Sequence, residues 1–119
     1  MPTQCMIPCR LGDVVLVRFP FTDLRSTKKR PAVVISPAAY QHAHGDNVIV
    51  ALTGQDQHDP QLEILSWGKV GLAKRTWVKP LIGTIAADLI ERRIGELQEP
   101  DYGALKLAIS QCVDDRICC

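Results

Sequence analysis

The sequence holds no apolar run near the roughly 20 residues that cross a bilayer as a helix, and no export leader ahead of its first patterned segment. A cytoplasmic protein with no membrane association is therefore expected. A G-x-S-x-G elbow is missing, as is a phosphate-cradling glycine loop, which leaves serine-elbow and P-loop chemistry without support. No internal repeat or low-complexity stretch occurs. Cysteine is absent from the body of the chain and present only near its ends, as Cys5, Cys9, Cys112, Cys118 and Cys119. An odd number placed this way makes a poor disulfide framework, and the spacing of Cys5 and Cys9 lacks the matched second pair of a zinc site. Reduced thiols on loose termini are the expectation. His42 and His44 offer two metal ligands with no third fixed by spacing, so no metal and no cofactor is expected.

What is present is an ordinary globular composition. The 119 residues are 46% hydrophobic and 23% charged, enough for one domain with its own core. The net charge of +1 says little about partners, but its distribution says more. Arg10, Arg18, Arg25, Lys28, Lys29 and Arg30 face only Asp13 and Asp23 between residues 10 and 30, while residues 88–119 are net acidic. One basic and one acidic face is the reading this suggests, against the plainer one of an unevenly solvated surface.

Residues 1–10, with Pro2 and Pro8 and no periodicity, read as a flexible leader, residues 11–113 as the domain and 114–119 as a tail. Within the domain, β-branched runs bounded by turn residues predict strands over residues 11–19, 31–36 and 47–53. A short strand is expected over 61–65, before the two turn glycines of residues 66–71. A further strand over 76–85 is interrupted by Pro80 and Gly83, which suits an edge or a bulge. Residues 38–46 suggest one helical turn, residues 88–93 a turn, and 94–97 a short closing strand. From Pro100 to Val113 the period changes: Leu105, Leu107, Ala108, Ile109 and Cys112 make a broad apolar face, and Pro100 and Asp101 suit a helix start. The expected fold is mainly β (α+β), a small closed SH3-like β-barrel of five to seven strands with a C-terminal helix.

The order and spacing of several short motifs carry a resemblance. They are Gly12-Asp13, Phe19-Pro20-Phe21-Thr22-Asp23, Lys29-Arg30-Pro31, residues 47–55 (NVIVALTGQ), Gly71-Leu72 and Arg93-Ile94-Gly95-Glu96-Leu97. Together they resemble the MazF/PemK family of growth-inhibiting toxins over roughly residues 11–113. The resemblance implies a metal-independent endoribonuclease acting on single-stranded RNA. It also implies a cognate antitoxin whose acidic, partly disordered segment covers a basic cleft, and a homodimer. It places catalysis on Arg30 and Thr53. The family usually has a hydroxyl residue after that threonine, where this chain has Gly54; Gln55 keeps the usual amide.

The residues themselves suit such chemistry. RNA carries its own nucleophile, the 2′-hydroxyl. Arg30 would present a planar fork of donors to phosphate oxygens, and Thr53 would add a neutral donor. Arg30 is an unpromising base, since its pKa lies above ~12. His58, five residues past Thr53, is the first candidate for the missing acid or base. Arg18, Arg25, Lys28 and Lys29 are candidates to track the RNA backbone, Gln55 to contact it, and Phe21, Trp67 and Trp77 to stack bases, with Trp67 the better stacker because it sits in a turn. Taken alone, each has a plain structural explanation as surface ion pair, strand end, solvated loop or core. Two alternatives stay open: a CcdB-like toxin of similar fold that binds and poisons DNA gyrase, and a non-catalytic SH3-like binding module.

Overall fold

The structure is a computed structural model that describes residues 7–18, 29–114 and 116–117. Six strands follow in chain order: β1 (Asp13–Arg18), β2 (Lys29–Val34), β3 (Asp46–Thr53), β4 (Glu63–Ile64), β5 (Thr76–Ala86) and β6 (Ile90–Glu96). Three helices complete the fold: α1 (Ala38–His44), α2 (Trp67–Val70) and α3 (Tyr102–Cys112). The strands form one antiparallel sheet in the order β4-β5-β3-β2-β1-β6, curled into a half-barrel. The expected strand count and C-terminal helix are both found. The closure is not: β4 and β6 are the two ends of the order and share no ladder among the described residues. Helix α2 fills the gap instead, its last turn resting on β6. A Cβ on Gly95 would collide with the Val70 carbonyl, and Gly71, at φ +106°, lies against the Ile94 backbone.

Both faces of the sheet are apolar, which is why its central strands read as unbroken β-branched runs. One face packs Val14, Val33, Val50, Leu52 and Val78 against Leu105 and Ala108 of α3. The other packs Val15, Val17, Ala32, Val34, Ile49 and Ala51 with Cys9, Ile85 and Ile90. Each fully buried Val, Leu or Ile contributes about 1.5–3 kcal/mol. Buried Asp101, at the end of the turn leading into α3, accepts hydrogen bonds from the backbone N–H of Leu65 (2.8 Å) and Ser66 (3.1 Å). It thereby ties the helix start to the entry of α2.

Three elements differ from the sequence expectations. Strand β6 begins at Ile90 rather than Ile94, because Glu91, Arg92 and Arg93 lie along an exposed edge strand and not in a turn. Charged side chains are a usual protection of such edges. Residues 60–62 form a 3-10 turn, leaving only two residues to β4. Residues 7–10 are held: buried Gln41 of α1 accepts from the Cys9 N–H and donates to the Ile7 carbonyl, both at 2.8 Å. Cys9 is consequently a buried thiol. Cys5, Cys118 and Cys119 lie outside the described residues.

Candidate functional site

Two prolines shape the site. Strand β2 pairs with β3 from Val34↔Ile49 to Ala32↔Ala51, and the ladder stops at Pro31, which brings no N–H. On the other side of β3, pairing with β5 skips from Val50↔Ile82 to Leu52↔Val78, bulging around Pro80. At these two breaks a cavity of about 120 Å³ opens, lined by Arg30, Ala51, Leu52, Thr53, Gln55, Lys79 and Leu81. A larger one of about 330 Å³ adjoins it and shares Arg30, Leu52 and Thr53. Its polar wall is Lys29, Lys74 and Arg92, and Leu16, Leu72 and Ile94 supply apolar surface.

Arg30 and Thr53 thus meet although 23 positions separate them. Continuing the β2–β3 register by two residues sets them opposite each other, on the sheet face of Ala32 and Ala51. The Thr53 hydroxyl oxygen accepts from the Gln55 N–H at 3.1 Å, which leaves its O–H able to donate. Arg30 is exposed and, among the described residues, has no ion-pair partner. Lys74, Lys79 and Arg92 are likewise outside the described ion pairs, and no described Asp or Glu lines either cavity. The result is a cationic groove in which Thr53 lines both cavities.

Of the other candidates, Gln55 lines the smaller cavity and Lys29 the larger, although Lys29 also reaches Glu91 at 3.2 Å. Arg18 is turned to the same Glu91 at 2.8 Å and lines neither cavity. Its neighbours hold the Glu91 carboxyl below the usual range, the hydrogen bond from Lys29 contributing most. His58 does not reach the groove. Its N–H donates to Asp56 Oδ1 at 2.8 Å, its φ is +59°, and its side chain is exposed away from both cavities. Trp67 lines neither cavity, because it opens α2 and packs half-buried against the core. Trp77 is core, with Arg75 over its ring at 4.9 Å. Phe21, Arg25 and Lys28 lie outside the described residues.

Among the described residues the basic segment of residues 10–30 and the acidic segment of 88–119 meet in ion pairs. β6 pairs with β1, so Glu91 meets Arg18 and Lys29, and Asp13 meets Arg93. Sequence reasoning missed Lys74, Lys79 and Arg92. Their strand and turn positions gave no local signal, except that Lys79 precedes the bulge-forming Pro80. Among the described residues no three His, Cys, Asp or Glu side chains gather as metal ligands. No described helix is long and apolar enough to cross a membrane.

A curled six-stranded half-barrel with a C-terminal helix packed on it defines the class of protein. The family of PemK-like, MazF-like toxins of type II toxin–antitoxin systems matches residues 10–113, and the chain belongs to it. Solved structures share the fold. One is the MazE–MazF complex from Deinococcus radiodurans, at 18% identity and TM-score 0.69, covering 88% of this chain and 95% of that one. A second is an endoribonuclease from a mycobacterial species, at 18% and 0.65, covering 92% and 94%. The Mycobacterium tuberculosis toxin MazF-mt6 matches at 18% and 0.67, covering 84% and 94%. No curated relative matches the sequence.

Proposed function

We propose that this toxin is an endoribonuclease that cuts single-stranded RNA at the groove between Arg30 and Thr53, using the RNA's own 2′-hydroxyl and no metal. The observation that carries the reading is the convergence of Arg30, Thr53 and Gln55 on one cavity with cations and no described acid around it. A phosphodiester laid across the strand ends puts its non-bridging oxygens among these donors. When the 2′-oxygen attacks, charge builds on those oxygens. The Arg30 guanidinium and the Thr53 hydroxyl stabilise it, each worth roughly 3–4 kcal/mol of barrier by the usual measure of a preorganised donor. The attacking oxygen displaces the 5′-oxygen of the next nucleotide and leaves a cyclic phosphate. The 2′-proton passes to solvent, and the leaving oxygen takes one from solvent or from Arg30.

A cognate antitoxin, a homodimer and a cytoplasmic setting belong to the same proposal. Two solved relatives are described as toxin–antitoxin complexes, the MazE–MazF pair from Deinococcus radiodurans and a mycobacterial endoribonuclease with its cognate antitoxin. An acidic segment of such a partner would compete with RNA for the cations of the groove.

Incubation with long single-stranded RNA in EDTA tests the reaction. Wild-type protein is expected to cut, and Arg30→Ala to lose at least a hundredfold in rate. Absence of cutting by the wild type, or full cutting by the variant, removes this reading. Gyrase inhibition without RNA cleavage would put the CcdB-like alternative in its place.

A further inference from the structure

Gly54 follows Thr53 directly and has no side chain to offer the groove. The space is nevertheless filled. A Cβ built on Gly54 would stand 2.9 Å from Lys74 Nζ and closer still to the carbon that carries it. Lys74 therefore lays the end of its side chain, Cε and then Nζ, across the place where a residue-54 side chain would begin, on the wall of the larger cavity that Thr53 also lines. It comes from the turn between α2 and β5, whose backbone is fixed where the Thr76 hydroxyl donates to the Lys74 carbonyl at 2.9 Å. The neighbouring cation is committed elsewhere: Arg75 Nε donates to Glu63 at 2.9 Å and the guanidinium lies over Trp77. Of two adjacent basic residues, only one faces the groove.

We propose that Lys74 is a second phosphate-contacting catalytic residue, made possible by the bare Cα of Gly54. It rests on the ribonuclease reading above. An ammonium is a compact point charge with three rotatable donors, suited to a non-bridging oxygen that Arg30 approaches from the opposite strand end. Among the described residues Lys74 has no ion-pair partner to compete with the phosphate.

The dependence on Gly54 makes the assignment testable. Any side chain at 54 must push the lysine head aside, and no positive φ forbids alanine there. Single-stranded RNA cleavage in EDTA is measured for wild type, Lys74→Met, Gly54→Ala, the double variant and Arg75→Ala. Lys74→Met keeps the aliphatic stem and is expected to lower kcat/KM by about 100-fold, mostly in kcat. Gly54→Ala is expected to lower it about tenfold, and the double variant to be no worse than Lys74→Met alone. Arg75→Ala, which removes the same unit of charge, should stay within about threefold of wild type. Thermal unfolding of each variant checks that the fold is kept. A Lys74→Met loss under tenfold, losses at 54 and 74 that multiply, or an equal loss from Arg75→Ala overturns the assignment. A wild type that neither cuts nor binds RNA overturns the ribonuclease reading itself, and this inference with it.

Discussion

Cys9 shows how a single residue escapes a local reading. Two prolines and the lack of period mark residues 1–10 as loose, yet Cys9 is 2% exposed and pinned by Gln41, a partner 32 positions away. No window of sequence around Cys9 contains that partner. Burial pushes its thiol up to about 11, the Asp13 carboxylate adding to the shift and Arg93 opposing it. The folded state therefore holds the proton more tightly than the unfolded chain, where the ordinary value is 9.0. The resulting stability is complete below about pH 9 and is lost as pH rises through about 11. Reactivity follows the same sign, since the thiolate is the nucleophile. Iodoacetamide at pH 7.5 should modify exposed Cys112 and leave Cys9 untouched until the protein is unfolded, as read by peptide mass spectrometry. Equal rates at the two cysteines in folded protein would show that the burial is wrong.

Among the elements, central strands were legible and edges were not. Residues buried on both faces of the sheet, such as Val14, Val15 and Val17 and the run from Ile49 to Leu52, declare themselves by composition. β6 hides because its exposed edge carries Glu91, Arg92 and Arg93, the composition of a turn. The packing of α2 on β6 was likewise invisible, since it depends on two glycines far apart. Gly95→Ala drives a Cβ into the Val70 carbonyl, and neither backbone can yield without moving its element. Overpacking of this kind costs about 1–3 kcal/mol, or roughly 5–15 °C in Tm for a chain of this length. Gly103 on α3 has open space around it, so Gly103→Ala should stabilise by up to ~1 kcal/mol. Calorimetry on the two variants should move Tm in opposite directions, and a neutral Gly95→Ala would mean that α2 does not rest on β6 as described.

For the whole molecule the question is whether a chain with a net charge of +1 can hold RNA electrostatically. Arg30, Thr53 and Gln55 become candidates only through the family resemblance of the segments around them, since strand pattern alone gives each a plain structural explanation. Lys74, Lys79 and Arg92 could not be found in the sequence, because only the curl of the sheet and the two proline breaks bring them together. Folding sorts the cations: Arg18, Arg75 and Arg93 are matched to Glu91, Glu63 and Asp13, while Arg30, Lys74, Lys79 and Arg92 face the groove outside any described ion pair. The field at the groove is thus local and hardly depends on total charge. If three to five phosphates are neutralised there, log K should fall against log salt with a slope of about −2 to −3.5 for a single strand. Raising salt from about 50 to 200 mM should then weaken binding of a 2′-deoxy-substituted, uncleavable strand roughly 15- to 130-fold. Fluorescence anisotropy measures this directly. Lys79→Met should make the slope shallower by about 0.7, one contact's share, whereas Arg75→Ala should leave it unchanged because that guanidinium is already matched to Glu63. A slope near zero, or equal changes from the two variants, would mean that RNA is not held by this groove.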